Sequence, residues 1–334
     1  MAWTQVALDD IYSDADITDD VSWLKACHDI DAGACMVLRN GDVFMPLRYT
    51  RQHGLVRVES LGQRYRSVAG PLGANGREMP EIHPEDLPEK ADIIDLRRFP
   101  QHHIDNAFPF APARLTHTDS KHFARSLEPT SDAFLLTLAK NTKKDLRYSA
   151  NRVGKVFGEE NVHYEQMPLN EANWNETWDK ASAIVPYTWQ GKSGVSMLTN
   201  DSMKLFLSQL VKHGMAVVFH LYRINDDPAA VVVSMNKNGK VLIYSHEYNE
   251  NYAKYQPGHL LNMRVILDAI AQGNSWLDFG VGDTPHKYLW RCQPQELWRI
   301  LVPLTWKGVV AATYQNMRWK VGARLYGKIS EQEQ

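Results

Sequence analysis

The chain has 334 residues, with 37 Lys and Arg against 39 Asp and Glu and a formal net charge of −2. That length leaves room for about two domains, and the balanced charge lacks the basic excess of a dedicated nucleic-acid binder. An apolar fraction of 44% suffices for real cores, and three cysteines (Cys27, Cys35, Cys292) without a CxxC pair exclude a disulfide framework. A reducing, cytoplasmic setting is therefore expected.

Residues 1–20 are acidic and show neither the basic n-region nor the apolar h-region of a signal peptide. No apolar run approaches the ~20 residues that span a bilayer. A short helix is expected over 21–28. Residues 34–39 then read as a strand, Asn40-Gly41 as a two-residue hairpin turn, 42–51 as the returning strand and 55–59 as a third. The Pro-, Gly- and acid-rich stretch 66–92 predicts irregular connection. A short strand is expected at 93–96. Residues 99–120 read as irregular, with Pro100, Pro109 and Pro112 opposing any helix.

A helix is expected from 131 to 157. Leu135, Leu138, Thr142, Leu146, Ala150 and Val153 recur at three- and four-residue steps, and Gly158 is the stop. Lys140, Lys143, Lys144, Arg147, Arg152 and Lys155 mark its other face. A further helical piece spans 169–184, and 186–199 reads as a polar loop holding Trp189, Lys192 and Ser193. A helix over 201–213 ends at Gly214. A second three-stranded meander follows over 216–223, 229–235 and 241–247, with Asn238-Gly239 in the setting that Asn40-Gly41 has in the first. The pair suggests an internal repeat of one α/β unit, the first copy degraded. Gln256-Pro257-Gly258 then leads into an amphipathic helix closed by Gly273, followed by a strand carrying Asp278. Thr284-Pro285 opens a new helix. A strand at 297–304 and a terminal helix at 309–326 complete the chain.

Four stretches carry a family likeness. They are the strand pair from Phe44-Met45-Pro46-Leu47 to Glu59-Ser60-Leu61-Gly62, the basic Asn141–Arg147 helix, Tyr255-Gln256-Pro257-Gly258-His259-Leu260-Leu261, and Asp278-Phe279-Gly280-Val281-Gly282-Asp283 with Lys287. In these the chain resembles the acetyltransferases associated with bacterial cellulose and exopolysaccharide synthesis (CelD/BcsL-like). That family lies within the GNAT superfamily and is related to the Fem-type aminoacyltransferases. The resemblance implies an α/β (α+β) fold of two tandem GNAT-like domains, each a mixed, mostly antiparallel sheet flanked by helices. A degenerate domain would occupy 1–125 and an acyltransferase domain 126–334. Two departures stand out. Of the superfamily's R/Q-x-x-G-x-G/A phosphate cradle only Gly258 matches, with Tyr255 and Leu260 at the other places. His286 stands where the family has Tyr before its Lys.

The activity so implied is N-acyl transfer from acetyl-coenzyme A, or another acyl-coenzyme A, to an amino sugar or similar small or saccharide acceptor. A loop feeding a helix start offers free N–H groups to an anion, so Gln256, Pro257, Gly258, His259, Leu260 and Leu261 are the candidate cradle. His246 or Glu247, at a strand end, is the candidate base for the acceptor's proton. Asp278 either braces strand to helix through Lys287 or takes a base or substrate-orienting role. Tyr288 sits where such enzymes place an acid for the leaving thiolate. Lys287, Trp189, Lys144 and Arg147 are candidate acceptor contacts. No metal spacing stands out: His246-Glu247-Tyr248-Asn249-Glu250 is not HExxH, and His102-His103 and His117…His122 bring no matching carboxylates. Gly191-Lys192-Ser193 lacks the earlier glycine of a P-loop. Two other readings stay open: a Fem-like ligase using aminoacyl-tRNA, the one case that would involve nucleic acid, and a non-catalytic binding protein.

Overall fold

The computed structural model describes residues 3–11, 17–31, 33–73, 81–87, 90–103 and 115–332. Pro109 and Pro112 lie outside them, as does part of the 66–92 connection. The strands in chain order are β1 (Thr4–Val6), β2 (Ala34–Asn40), β3 (Val43–Gln52), β4 (Leu55–Ser60), β5 (Ile93–Pro100), β6 (Leu115–Ser126), β7 (Val162–Pro168), β8 (Ala216–Ile224), β9 (Asp227–Lys237), β10 (Lys240–Tyr248), β11 (Trp276–Val281) and β12 (Gln293–Pro303). The helices are α1 (Val21–Ile30), α2 (Ser131–Thr137), α3 (Lys140–Phe157), α4 (Trp174–Ser182), α5 (Trp189–Lys192), α6 (Asp201–Lys212), α7 (Pro257–Ala271), α8 (Pro285–Leu289) and α9 (Trp306–Gln332). The class is the expected one: mixed α/β, with mostly antiparallel strands flanked by helices.

Two compact units emerge. One holds Met1–Ala15, Asp31–Ser120 and Glu296–Gln334; the other holds Asp16–Ile30 and Lys121–Gln295. The first orders its strands β1-β2-β3-β4-β5-β12, and the second orders them β7-β8-β9-β10-β11-β6. The direction pattern is the same in both. An edge strand and a meander run antiparallel, a parallel pair follows (β4 with β5, β10 with β11), and an antiparallel strand closes the row.

The likeness reaches single residues. Each parallel pair has three register partners, ending at Glu59 opposite Asp95 and at Leu242 opposite Asp278. Both aspartates are fully buried, at 0% exposure. Arg299, two residues before Leu301 that faces Asp95, donates to it through Nε and Nη2, each at 2.7 Å. His122, two residues before Ala124 that faces Asp278, donates to it through Nε2 at 2.9 Å. A buried carboxylate demands such a partner.

Apolar side chains fill each unit separately. Leu38, Met45, Val58, Leu96, Phe99 and Ile300 pack in the first. Phe123, Phe134, Leu146, Leu261, Ile266, Leu277 and Trp290 pack in the second. Two strands lie where none was expected. β6 falls partly within 99–120 and β7 follows Gly158. β6 buries His117 and His122 beside Phe123, and β7 buries only Met167, so neither shows a clean apolar alternation. The expected helix over 131–157 is two helices. Leu138 and Ala139 are both extended, with ψ of 151° and 145°, and Thr130 caps the first helix through the Ala133 N–H.

Candidate active site

The parallel pairing of β10 with β11 stops at Leu242 and Asp278, although β10 runs on to Tyr248. A bulge between Ile243 and Ser245 bends β10 against β9, and β11 shifts register between Asp278 and Val281. The two strands therefore part, and a cavity of about 600 Å³ fills the opening. Ile243, Tyr244, Ser245, His246 and Tyr248 line it from β10, and Phe279 and Val281 from β11. Gln256, Pro257, Gly258 and His259 contribute the start of α7. Thr284, Pro285, His286, Lys287 and Leu289 contribute α8 and its entry, and Trp189 and Gln190 border the cavity from α5.

Gln256 takes a left-handed conformation (φ 54°), turning the chain sharply into α7, with Pro257 at the first helical position. Its carbonyl accepts from the His259 and Leu260 N–H groups, at 3.0 and 3.1 Å, and its side chain accepts from Ser149 Oγ at 3.2 Å. Pro257 has no N–H, and the Gly258 N–H has no backbone acceptor among the described residues. One amide of the first turn is thus left over, as at any helix start. Leu260 and Leu261 do not line the cavity. They are core, at 7% and 0% exposure.

The basic groups of the cavity wall are His246, His259, His286 and Lys287, and no carboxylate lines it. The His246 and His286 rings meet edge to face at 4.1 Å. Burial, reinforced by the nearby Lys287 and by the other imidazoles, pulls His246 down to about 4 and His286 down to about 2, and burial lowers His259. The Gln190 side-chain amide holds the His246 carbonyl at 3.1 Å. Lys287 is pulled down to about 8 by burial, against the pull of Asp278. Its ammonium donates to the Val281 carbonyl at 2.7 Å and the Gly280 carbonyl at 3.3 Å, and lies 5.3 Å from the Phe123 ring centre. Gly280 and Gly282 have φ of 65° and 109°, which bring these carbonyls round to the ammonium.

The remaining candidates lie elsewhere. Glu247 points off the cavity: it accepts from Ser196 Oγ at 2.7 Å and Thr188 Oγ1 at 3.1 Å and is buried. Asp278 bonds His122 and the Gly280 N–H, so the expected bracing contact with Lys287 is replaced by one with a strand that the sequence did not announce. Tyr288 is 44% exposed and donates to Asp283 at 2.9 Å. Lys144 and Arg147 line a separate shallow groove with Lys140, Lys143, Leu136 and Tyr148. Lys192 pairs with Glu250. His286 enters the site unheralded, since only its departure from a family tyrosine marked it. Among the described residues no three His, Cys, Asp or Glu side chains are grouped to hold a metal ion, and no helix is long and apolar enough to cross a membrane.

The low histidine values carry a stability consequence. His246, His286 and His220, the last also pulled to about 4 by burial, stay neutral in the folded chain while the unfolded chain protonates them near 6.5. Their contribution is complete above pH 6.5 and is lost as pH falls toward the folded values. The melting temperature is expected to drop steadily between pH 6.5 and about 4 in differential scanning calorimetry. A flat profile over that range would contradict the burial of these rings.

Residues 140–288 match the family model described as Acetyltransferase (GNAT) domain. No curated protein matches the chain. Among solved structures the chain is similar to FemX, with a TM-score of 0.58 and 10% identity, covering 90% of this chain and 97% of that one. It is also similar to a conserved protein of unknown function from Bacteroides thetaiotaomicron VPI-5482, with a TM-score of 0.56 and 12% identity, covering 90% and 99%. At such identities the likeness is one of fold. The parted parallel strands, the helix start beside them and the segment that matches the GNAT acetyltransferase model coincide within residues 140–288.

Proposed function

We propose that the protein is an acyl-coenzyme A-dependent N-acyltransferase, an acetyltransferase in its simplest form, acting on an amino sugar or similar small acceptor. The observation that carries this reading is the opening between β10 and β11, where the unpaired stretch of β10 and the Gly258 turn line a cavity large enough for a thioester arm. The saccharide acceptor rests on the likeness to the exopolysaccharide-associated family, as does the division at residue 125, and the cytoplasmic setting rests on the sparse, unpaired cysteines.

In this reading the acceptor nitrogen attacks the thioester carbon directly, a C–N bond forms, and the C–S bond breaks. His246, neutral at pH 7, receives the proton that the nitrogen sheds once bonded to carbon. Lys287 uses two of its three protons on Gly280 and Val281, and the third protonates or steadies the departing thiolate. Tyr288, tied to Asp283, is relieved of that role. Asp278 acts through His122 as a positioning residue for β11.

The test is thermal shift with acetyl-coenzyme A, longer acyl-coenzyme A species and free coenzyme A. Stabilisation is expected, followed by thiol release with amino sugars. No stabilisation by any of them would sink the proposal. Binding without turnover on any amine would favour a non-catalytic binding protein. A Cβ at residue 258 would meet Tyr248 Cβ at 3.5 Å, an ordinary contact. Gly258→Ala is therefore expected to fold normally, and Gly258→Trp to abolish the ligand-induced shift. Unchanged binding by Gly258→Trp would show that the loop is not the cradle.

The groove on α3 favours a second reading. Lys140, Lys143, Lys144 and Arg147 line one surface of about 1000 Å³, which suits the phosphates of an aminoacyl-tRNA donor. Transfer from charged tRNA but not from acyl-coenzyme A would select it.

A further inference from the structure

A second recess, of about 720 Å³, lies within the first unit, walled by β4, β5, β12 and α9. Arg57, Arg97, Arg299 and Arg318 all border it, and no Asp or Glu does. The carboxylate that pairs with these arginines is Asp95, which accepts from Arg57 at 2.6 Å and from Arg299 at 2.7 Å. Arg97 and Arg318 pair with no carboxylate among the described residues, although Arg318 lies over the Tyr314 ring at 5.9 Å. Four guanidiniums set against one carboxylate leave three positive charges on one recess. Like charges gathered this way repel, and a bound anion relieves the repulsion. Trp319 adds a flat apolar wall, held in place by stacking on His117 at 4.3 Å and 21°.

We propose that this recess binds a phosphomonoester carried on a ring, as in a sugar phosphate. A guanidinium fork matches both carboxylate and phosphate, so charge decides between them. A phosphomonoester carries about −1.5 to −2 at pH 7, whereas a single carboxylate carries only about −1 and leaves most of the excess unmatched. The sugar ring then stacks on Trp319, whose face suits a C–H-rich ring. The recess is separate from the acyl-transfer cavity, and its ligand need not be the acceptor.

The test is isothermal titration of the full chain at low salt with four probes: glucose 1-phosphate, inorganic phosphate, glucose and glucuronate. Glucose 1-phosphate is expected to bind more tightly than phosphate, phosphate more tightly than glucuronate, and glucose not at all. Arg97→Ala and Arg318→Ala remove exposed side chains without carboxylate partners, so the melting temperature should hold. Each should weaken glucose 1-phosphate about tenfold or more, the range of a charged hydrogen bond. Trp319→Ala should lower glucose 1-phosphate binding to that of phosphate. The proposal is overturned by no heat from glucose 1-phosphate at about 10 mM, by equal affinity in the wild type and the Arg97→Ala/Arg318→Ala double variant, or by glucuronate binding as tightly as the phosphate ester.

Discussion

His246→Ala is expected to lower the rate of acyl transfer by roughly two to four orders of magnitude while leaving acyl-coenzyme A binding nearly intact. No carboxylate lines the cavity, so the acceptor for the amine's proton is one of its three imidazoles, and His246, on the parted strand β10, is the one this reading assigns. His259 and His286 share the wall, but His286 is pulled lower still, to about 2, which leaves it the poorer base. The pH profile gives the finer test. With His246 near 4 and Lys287 near 8, activity should be flat between those values, falling below the first as the imidazole charges and above the second as the ammonium is lost. Lys287→Met should remove the alkaline limb. An acid limb near 6.5 that survives in His246→Ala would assign the base to another group.

The second large effect is on stability. Asp95→Ala is expected to cost about 3–5 kcal/mol, because two guanidiniums lose their common carboxylate and one of them, Arg299, is buried. Asp278→Ala should cost less. It removes the partner of one imidazole and of the Gly280 N–H, whereas Asp95 holds two permanently charged guanidiniums. Urea denaturation of the two variants measures the difference. Equal losses, or the reverse order, would contradict the view that the two aspartates are one architectural device with different partners. If Asp278 instead took part directly in proton transfer, Asp278→Asn would shift the pH profile rather than only the denaturation midpoint.

The sequence announced some of this and concealed the rest for identifiable reasons. Asn40-Gly41 and Asn238-Gly239 marked the two hairpins because only a tight primed turn uses that dipeptide so readily. Gly158, Gly214 and Gly273 ended their helices where expected, each with positive φ. The entry at Gln256–His259 was legible because proline and glycine restrict the backbone directly. Strand β6 was not, since its meaning lies in a partner: His122 is buried because Asp278 is, and the two are 156 residues apart. Glu247 was misleading for a related reason. It ends a strand beside His246, but the alternation of a strand sends it to the opposite face, where Ser196 and Thr188 hold it.

The closing strand of the first unit has a consequence for synthesis. Ile93 in β5 lies opposite Pro303 in β12, about 200 residues further on. When β5 leaves the ribosome, its outer edge has nothing to pair with, and it stays unpaired through the making of nearly all of the second unit. Contacts so distant in sequence form late and slowly. The nascent chain therefore carries an open strand edge for much of its translation, a template for aggregation that a chaperone or rapid closure must guard. The first unit is begun first and finished last.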